Sequence, residues 1–254
     1  MRRIAGPLVL ALALLLAAVS DVGAQIAVAA ASDLQPVLPD IATRFQRATG
    51  QTVRISYGSS GTFVSQIQNG APFDVFLSAD DAYVRRLVDS GHGDPHGQVG
   101  YATGRLALWS RKDRGLALAS VASLGDGRIR RIAIANPDHA PYGRAAVDAL
   151  ERSGVYEQVR GKIVRGENVA QAAQFAQSGS ADVAIVALSL TLAPAMAQIG
   201  TAVELPMTAF APIRQTAVVL TRSRNQDLAR RFVGFLVDPD IQRLLQSSGF
   251  GPHP

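Results

Sequence analysis

Ile26-Ala27-Val28-Ala29-Ala30-Ala31-Ser32-Asp33-Leu34 is a buried-strand run that stops in small polar residues just where a helical pattern takes over. Its apolar half, Ile26 to Ala30, reads as a strand, and the residues from Leu34 to Thr49 read as a helix closed by Gly50. The unit then recurs. Val53 to Tyr57 is a strand, Gly61 to Asn69 a helix stopped at Gly70, Phe73 to Ser78 a strand, and Asp80-Asp81 opens a helix through Val88 that ends near Gly91. Short apolar strands joined by helices imply an α/β fold with a mostly parallel sheet, whose ligands sit beyond the carboxyl ends of the strands.

From Gly104 to Ser110 a second apolar run begins and the same logic is repeated. Arg131 to Ala135, Lys162 to Val164 and Asp182 to Leu188 read as strands, with helices over Gly143 to Ser153 and Val169 to Ser178. Ile213 to Thr221 is a further strand, and Asn225 to Leu236 and Pro239 to Gln246 are terminal helices. Two lobes are expected, each a mostly parallel sheet flanked by helices: residues 25–103 plus 217–254 form the first, and 104–216 the second. The two extended passages near Gly104 and Pro212 would form a hinge.

Ahead of this pattern stand Arg2 and Arg3, an unbroken apolar run from Leu8 to Val19, and Val22-Gly23-Ala24. The run is short for a membrane span and is flanked by small residues, which predicts a signal peptide over 1–24 with cleavage after Ala24. With no cysteine anywhere, the exported chain has neither a disulfide framework nor a thiol for lipid attachment, so a free periplasmic protein is expected. The formal net charge is +5, but no Lys/Arg run exceeds two residues and no aromatic residues interleave with them, which argues against nucleic acid.

Four loops carry the candidate chemistry: Ala31-Ser32-Asp33-Leu34, Gly58-Ser59-Ser60-Gly61-Thr62, Ala140-Pro141-Tyr142-Gly143 and Gly166-Glu167-Asn168-Val169. Each ends a strand-like run and begins a helix-like one, and none carries an obvious cation. Helix starts present unpaired N–H groups and a partial positive charge, so several aimed at one point would hold a small oxyanion with backbone donors and hydroxyls. Ser32 and Ser60 suit that role, and they suit plain helix capping equally well.

The same strings, together with Gly70-Ala71-Pro72-Phe73-Asp74-Val75-Phe76-Leu77-Ser78-Ala79-Asp80, Asn136-Pro137-Asp138-His139 and the closing Ser248-Gly249-Phe250, resemble the periplasmic molybdate-binding (ModA) family of ABC transporters, which are type II periplasmic binding proteins. The resemblance runs over essentially the whole mature chain. It implies two α/β lobes that close on dehydrated molybdate or tungstate and deliver it to an inner-membrane permease. It assigns Ser32 and Ser60 to one lobe's half of the site, and Tyr142 and the backbone N–H of Val169 to the other. One branch of that family has a tyrosine where Ala187 stands here, and the Tyr142 phenol would replace that donor from the opposite side.

Asp33 is the residue that conflicts with a dianion, because a carboxylate beside it would repel it. The side chain is therefore expected to turn away and cap the helix at Leu34, leaving its N–H toward the ligand; facing inward, it would instead favour a protonated phosphate. Sulfate would use the same donors as molybdate, with cavity size the discriminator. A hydrolase built on Ser60, Asp138 and His139 fits no nucleophile-elbow spacing. The four scattered histidines, the absent cysteine and the dispersed Tyr57, Tyr83, Tyr101, Tyr142 and Tyr156 give no cation site and call for no cofactor. A monomeric, non-enzymatic anion receptor is the expectation, with a non-transport oxyanion sensor as the alternative.

Overall fold

The computed structural model describes residues 25–253, so the expected signal peptide lies outside the described residues. Ten strands are described: β1 (Gln25–Ala31), β2 (Thr52–Gly58), β3 (Val75–Ser78), β4 (Gly93–Gly104), β5 (Leu106–Arg111), β6 (Ile132–Ala135), β7 (Ile163–Gly166), β8 (Val183–Ala187), β9 (Gly200–Glu204) and β10 (Ile213–Leu220). They are interleaved with α1 (Leu38–Thr49), α2 (Ser60–Gln68), α3 (Asp81–Asp89), α4 (Pro141–Arg152), α5 (Tyr156–Val159), α6 (Val169–Gln177), α7 (Leu188–Leu192), α8 (Pro194–Ala197), α9 (Gln226–Phe235) and α10 (Pro239–Ser247).

The strands form two five-stranded sheets of the same design, in the orders β2-β1-β3-β10-β4 and β7-β6-β8-β5-β9. In the first, β1 pairs parallel with β2 and β3, and β10 pairs antiparallel with β3 and β4, so four strands run one way and only β10 runs against them. In the second, β5 is the reversed strand, antiparallel to β8 and β9. The reversed strand of each sheet is the one that has just arrived from the other sheet. The chain leaves the first sheet through Arg105, between β4 and β5, and returns between β9 and β10. These two passages of chain join two lobes, one built on each sheet.

Each lobe buries its own core. The central strand β1 is buried from Ile26 to Ala31 on both faces, which is why it reads as a continuous apolar run rather than an alternating one. Against it, α1 turns Leu38, Ile41 and Phe45 inward at helical spacing, and Phe45 meets the edges of Phe232 and Phe235 on α9 at 5.1 and 5.4 Å. In the second lobe Trp109 on β5 is fully buried among Ile132, Ile134 and Ile185.

Expectation and structure differ at several elements. The helix expected over Leu34 to Thr49 is a short 3-10 turn, Ser32–Leu34, followed by a separate α1. Pro36 has no N–H with which to continue the turn, and Pro39 sits in the first turn of the helix that restarts. The strands β4 and β9 were not anticipated: β4 carries Gly93, Pro95, Gly97, Gly100 and Gly104, a composition that reads as loop.

Candidate functional site

The four polar loops converge. A small cavity between the lobes is lined by Ser32 and Asp33 at the end of β1, by Ser59 and Ser60 at the start of α2, by Pro141 and Tyr142 at the start of α4, and by Val169 at the start of α6. A larger groove beside it, lined by Gln35, Pro36, Gln171 and Gln174, draws on only the fourth of these loops directly and lies outside the ring of helix starts.

Local hydrogen bonding decides what each residue can offer the cavity. On α2 the helix cap is Ser59, whose Oγ accepts from the Thr62 N–H at 3.3 Å, so Ser60 is not needed as a cap. The Ser60 hydroxyl accepts from the Ala79 N–H at 3.0 Å, which leaves its own hydrogen free to donate. Ser32 is placed likewise: its Oγ accepts from the Ala170 N–H at 3.4 Å, across the cleft. On α6 the cap is Asn168, whose Oδ1 accepts from the N–H groups of Ala170 and Gln171, and the N–H of Val169 is left unclaimed at the first helical position. Tyr142 is the second residue of α4, after Pro141, where an N–H has no intrahelical acceptor. The lining therefore offers hydroxyl and amide hydrogens, with no cationic side chain.

Asp33 departs from expectation. Its side chain makes no capping bond to the turn at Leu34 and is fully buried at the cavity wall. Its Oδ2 accepts from Tyr142 Oη at 3.1 Å and from Gln215 Nε2 at 2.6 Å, and Gln215 Oε1 in turn accepts from Tyr101 Oη at 2.9 Å. A local cap would satisfy one N–H, whereas this position joins β1, α4, β10 and β4 in one polar network. Its Oδ1 has no partner. Burial pushes the Asp33 carboxyl up to about 6, partly offset by the bonds from Tyr142 and Gln215.

The Tyr142 phenol is thus directed at Asp33, and the residue is buried inside the interface rather than covering it as an exposed lid. Gly104 permits this approach, since a Cβ there would stand 2.5 Å from Tyr142 Oη. Tyr101 and Gln215 were not anticipated, because neither lies in a polar loop. Ser59 lay inside a quoted loop without being singled out.

Further polar contacts close the lobes over the cavity. The Gly61 N–H donates to His139 O at 2.9 Å, Ser59 Oγ and His139 Nδ1 lie 2.8 Å apart, and Thr62 Oγ1 donates to Glu167 Oε1 at 3.2 Å. On another side Arg144 bonds both Asp80 and Tyr83, at 2.5 and 2.9 Å. Ser189 Oγ donates to Asp33 O at 2.8 Å. His139 meets Ser59, not Ser60, and Asp138 is exposed and faces Arg165, so the three residues weighed as a hydrolytic set are not assembled. Among the described residues no cluster of three His, Asp or Glu could hold a cation.

Comparison with known proteins places these features in a family. The model of the bacterial extracellular solute-binding proteins matches residues 26–251. The molybdate-binding protein ModA of Azotobacter vinelandii is 38% identical over 244 residues, covering 96% of each chain. ModA of Rhodobacter capsulatus is 35% identical, over 97% of this chain and 95% of its own. The solved structure of the Azotobacter vinelandii periplasmic molybdate-binding protein superposes with a TM-score of 0.83 at 33% identity, covering 89% of this chain and 98% of that one.

Proposed function

Because the chain belongs to the bacterial extracellular solute-binding proteins, we propose that it is a periplasmic receptor that captures molybdate, and tungstate with it, and hands the anion to an ABC transporter permease. The observation that carries this reading is the polarity of the cavity. Four separated segments line the cavity with donor groups, Ser32 Oγ, Ser60 Oγ and the N–H groups of Tyr142 and Val169, and each serine hydroxyl already accepts from one backbone N–H, which orients its own hydrogen to donate elsewhere. A fully deprotonated tetrahedral oxyanion is acceptor-only, so such a lining matches it without a buried counter-charge. Every protein contact would be a hydrogen bond to an oxyanion oxygen; no residue is a ligand of the metal itself.

The function is capture and release rather than catalysis. An anion held by both lobes favours the closed arrangement by its differential affinity for it, and a permease that reads the paired lobe surfaces receives only loaded receptor. The receptor acts as a monomer, needs no cofactor and is exported by its N-terminal segment.

Phosphate is the second reading, and the inward carboxyl of Asp33 is the observation in its favour, since Oδ1 would accept from a protonated anion. The near full-length kinship with two molybdate-binding proteins favours molybdate. Calorimetric titration of the ligand-free mature protein with molybdate, tungstate, sulfate and phosphate tests the choice. Binding of the first two with little response to the others is expected. Phosphate binding alone would move the assignment to the second reading, and silence from all four would remove the oxyanion receptor altogether.

A further inference from the structure

The cavity wall contains a group that a pure donor lining would not include. Asp33 is fully buried and lines the cavity, its Oδ2 already accepts two hydrogen bonds, and its Oδ1 has no hydrogen-bond partner. The network behind it has a fixed direction. Tyr101 donates to Gln215 Oε1, the Gln215 amide and Tyr142 both donate to Asp33 Oδ2, and Oδ1 receives no hydrogen bond. An ionised Asp33 would therefore hold a buried oxygen that lacks a hydrogen bond, beside an anion that can only accept one.

We propose that Asp33 binds the oxyanion as a neutral acid, its Oδ1–H donating to an anion oxygen, so that each dianion enters the cavity together with one proton taken from solvent. This rests on the oxyanion-receptor reading above and adds a specificity-determining donor to it. The proton balance is simple. The anion stays deprotonated, water or buffer gives up the proton, and the proton resides on Oδ1 for as long as the anion is bound. Oδ2 keeps both of its incoming bonds, so the rest of the network is unchanged.

The surroundings of Asp33 support that protonation. The titratable groups facing it are Tyr142 on α4 and, through Gln215, Tyr101 on β4. Burial and the Asp33 charge hold both phenols well above their ordinary range, so both remain neutral donors. Gln215 on β10, Ser189 on α7 and Val169 on α6 carry no charge. Nothing cationic bonds the carboxyl, and burial already raises it to about 6 before a dianion arrives. A dianion at hydrogen-bond distance raises it further.

Titration calorimetry with sodium molybdate between pH 6.5 and 8.5, in buffers of differing ionisation enthalpy, counts the protons. The expectation at pH 8 is uptake of about one proton per anion, with affinity falling about tenfold per pH unit in that range. Asp33→Asn, which offers a permanent amide donor at the same place, is expected to bind with no uptake and a flat pH profile. As a readout independent of the variant's folding, the Asp33 carboxyl carbon signal of labelled wild type should move to its protonated position when molybdate is added at pH 8.

Wild-type binding of molybdate with no proton uptake, a flat profile and an unmoved carboxyl signal would overturn this proposal and leave the receptor reading intact. Uptake that persists in Asp33→Asn would assign the proton elsewhere and overturn it too. Failure of wild type to bind any of the four oxyanions at any pH would overturn both.

Discussion

Single side chains set both the chemistry of the cavity and part of the stability of the fold. Asp33 carries a carboxyl raised from 3.8 to about 6 by burial. The folded protein therefore holds that proton more tightly than the unfolded chain does. The linked stability is full below about pH 4, declines as pH rises through about 6, and stays low above it. A shift of this size corresponds to about 3 kcal/mol, so urea unfolding of wild type should show a decline of that order between pH 4 and 8 from this group, and Asp33→Asn should lack it. Equal pH slopes for the two proteins would mean that Asp33 is not held in this environment. Ser60 has two tasks, accepting from the buried Ala79 N–H and donating to the cavity. Ser60→Ala should lower stability by about 1–3 kcal/mol and weaken molybdate binding by roughly 10- to 100-fold, the loss expected for one hydrogen bond to a charged group. A variant that loses stability but keeps full affinity would restrict Ser60 to a structural role.

Elements deliver these side chains, and here a glycine decides the fit. Gly61 lies in the first turn of α2, where a Cβ would stand 2.7 Å from His139 O of the other lobe, and 2.8 Å from the flexible tip of Tyr83 in its own lobe. Gly61→Ala suits the helix itself but props the lobes apart. An overpacking penalty of about 1–3 kcal/mol confined to the closed form predicts a roughly 5- to 150-fold loss of affinity, read by calorimetry, with little change in the unfolding of the ligand-free protein. Unaltered affinity would show that the α2 start need not meet His139 for binding. Much at this scale was legible in the sequence. The start of α3 is announced by Asp80, whose cap forms, and the starts of α2 and α6 lie in the quoted polar loops, where the caps are Ser59, next to the Ser60 weighed for that role, and Asn168. Those caps are local, within three residues of the N–H groups they serve. The network behind Asp33 is not local: Tyr101 and Gln215 are 114 positions apart and meet only because β10 returns from the second lobe to pair with β4. No periodicity records that pairing. Asp33 was misjudged for the same reason, since a preferred cap residue is legible from its neighbours, while a bond to Tyr142, 109 positions away, is not.

At the scale of the whole molecule, the two lobes are alike in strand order and are joined only by the passages before β5 and before β10, so motion between them requires changes in few backbone angles. Against that freedom stand a handful of polar contacts across the cleft, of which the Arg144 pair is half-exposed and contributes little on its own. An anion bonded from both sides shifts the equilibrium between open and closed lobes by whatever affinity separates the two forms. The chain contains no cysteine, so two introduced thiols are its only labelling sites. Spin labels at Gln66 on α2 and Gln174 on α6, both exposed and on opposite lobes, should give a broad distance distribution without ligand. Molybdate should collapse it to a single short distance, and sulfate at equal concentration should leave most of the breadth. A distribution already narrow and short without any anion would mean that the polar contacts alone hold the lobes together. Loading would then be signalled to a permease by something other than closure.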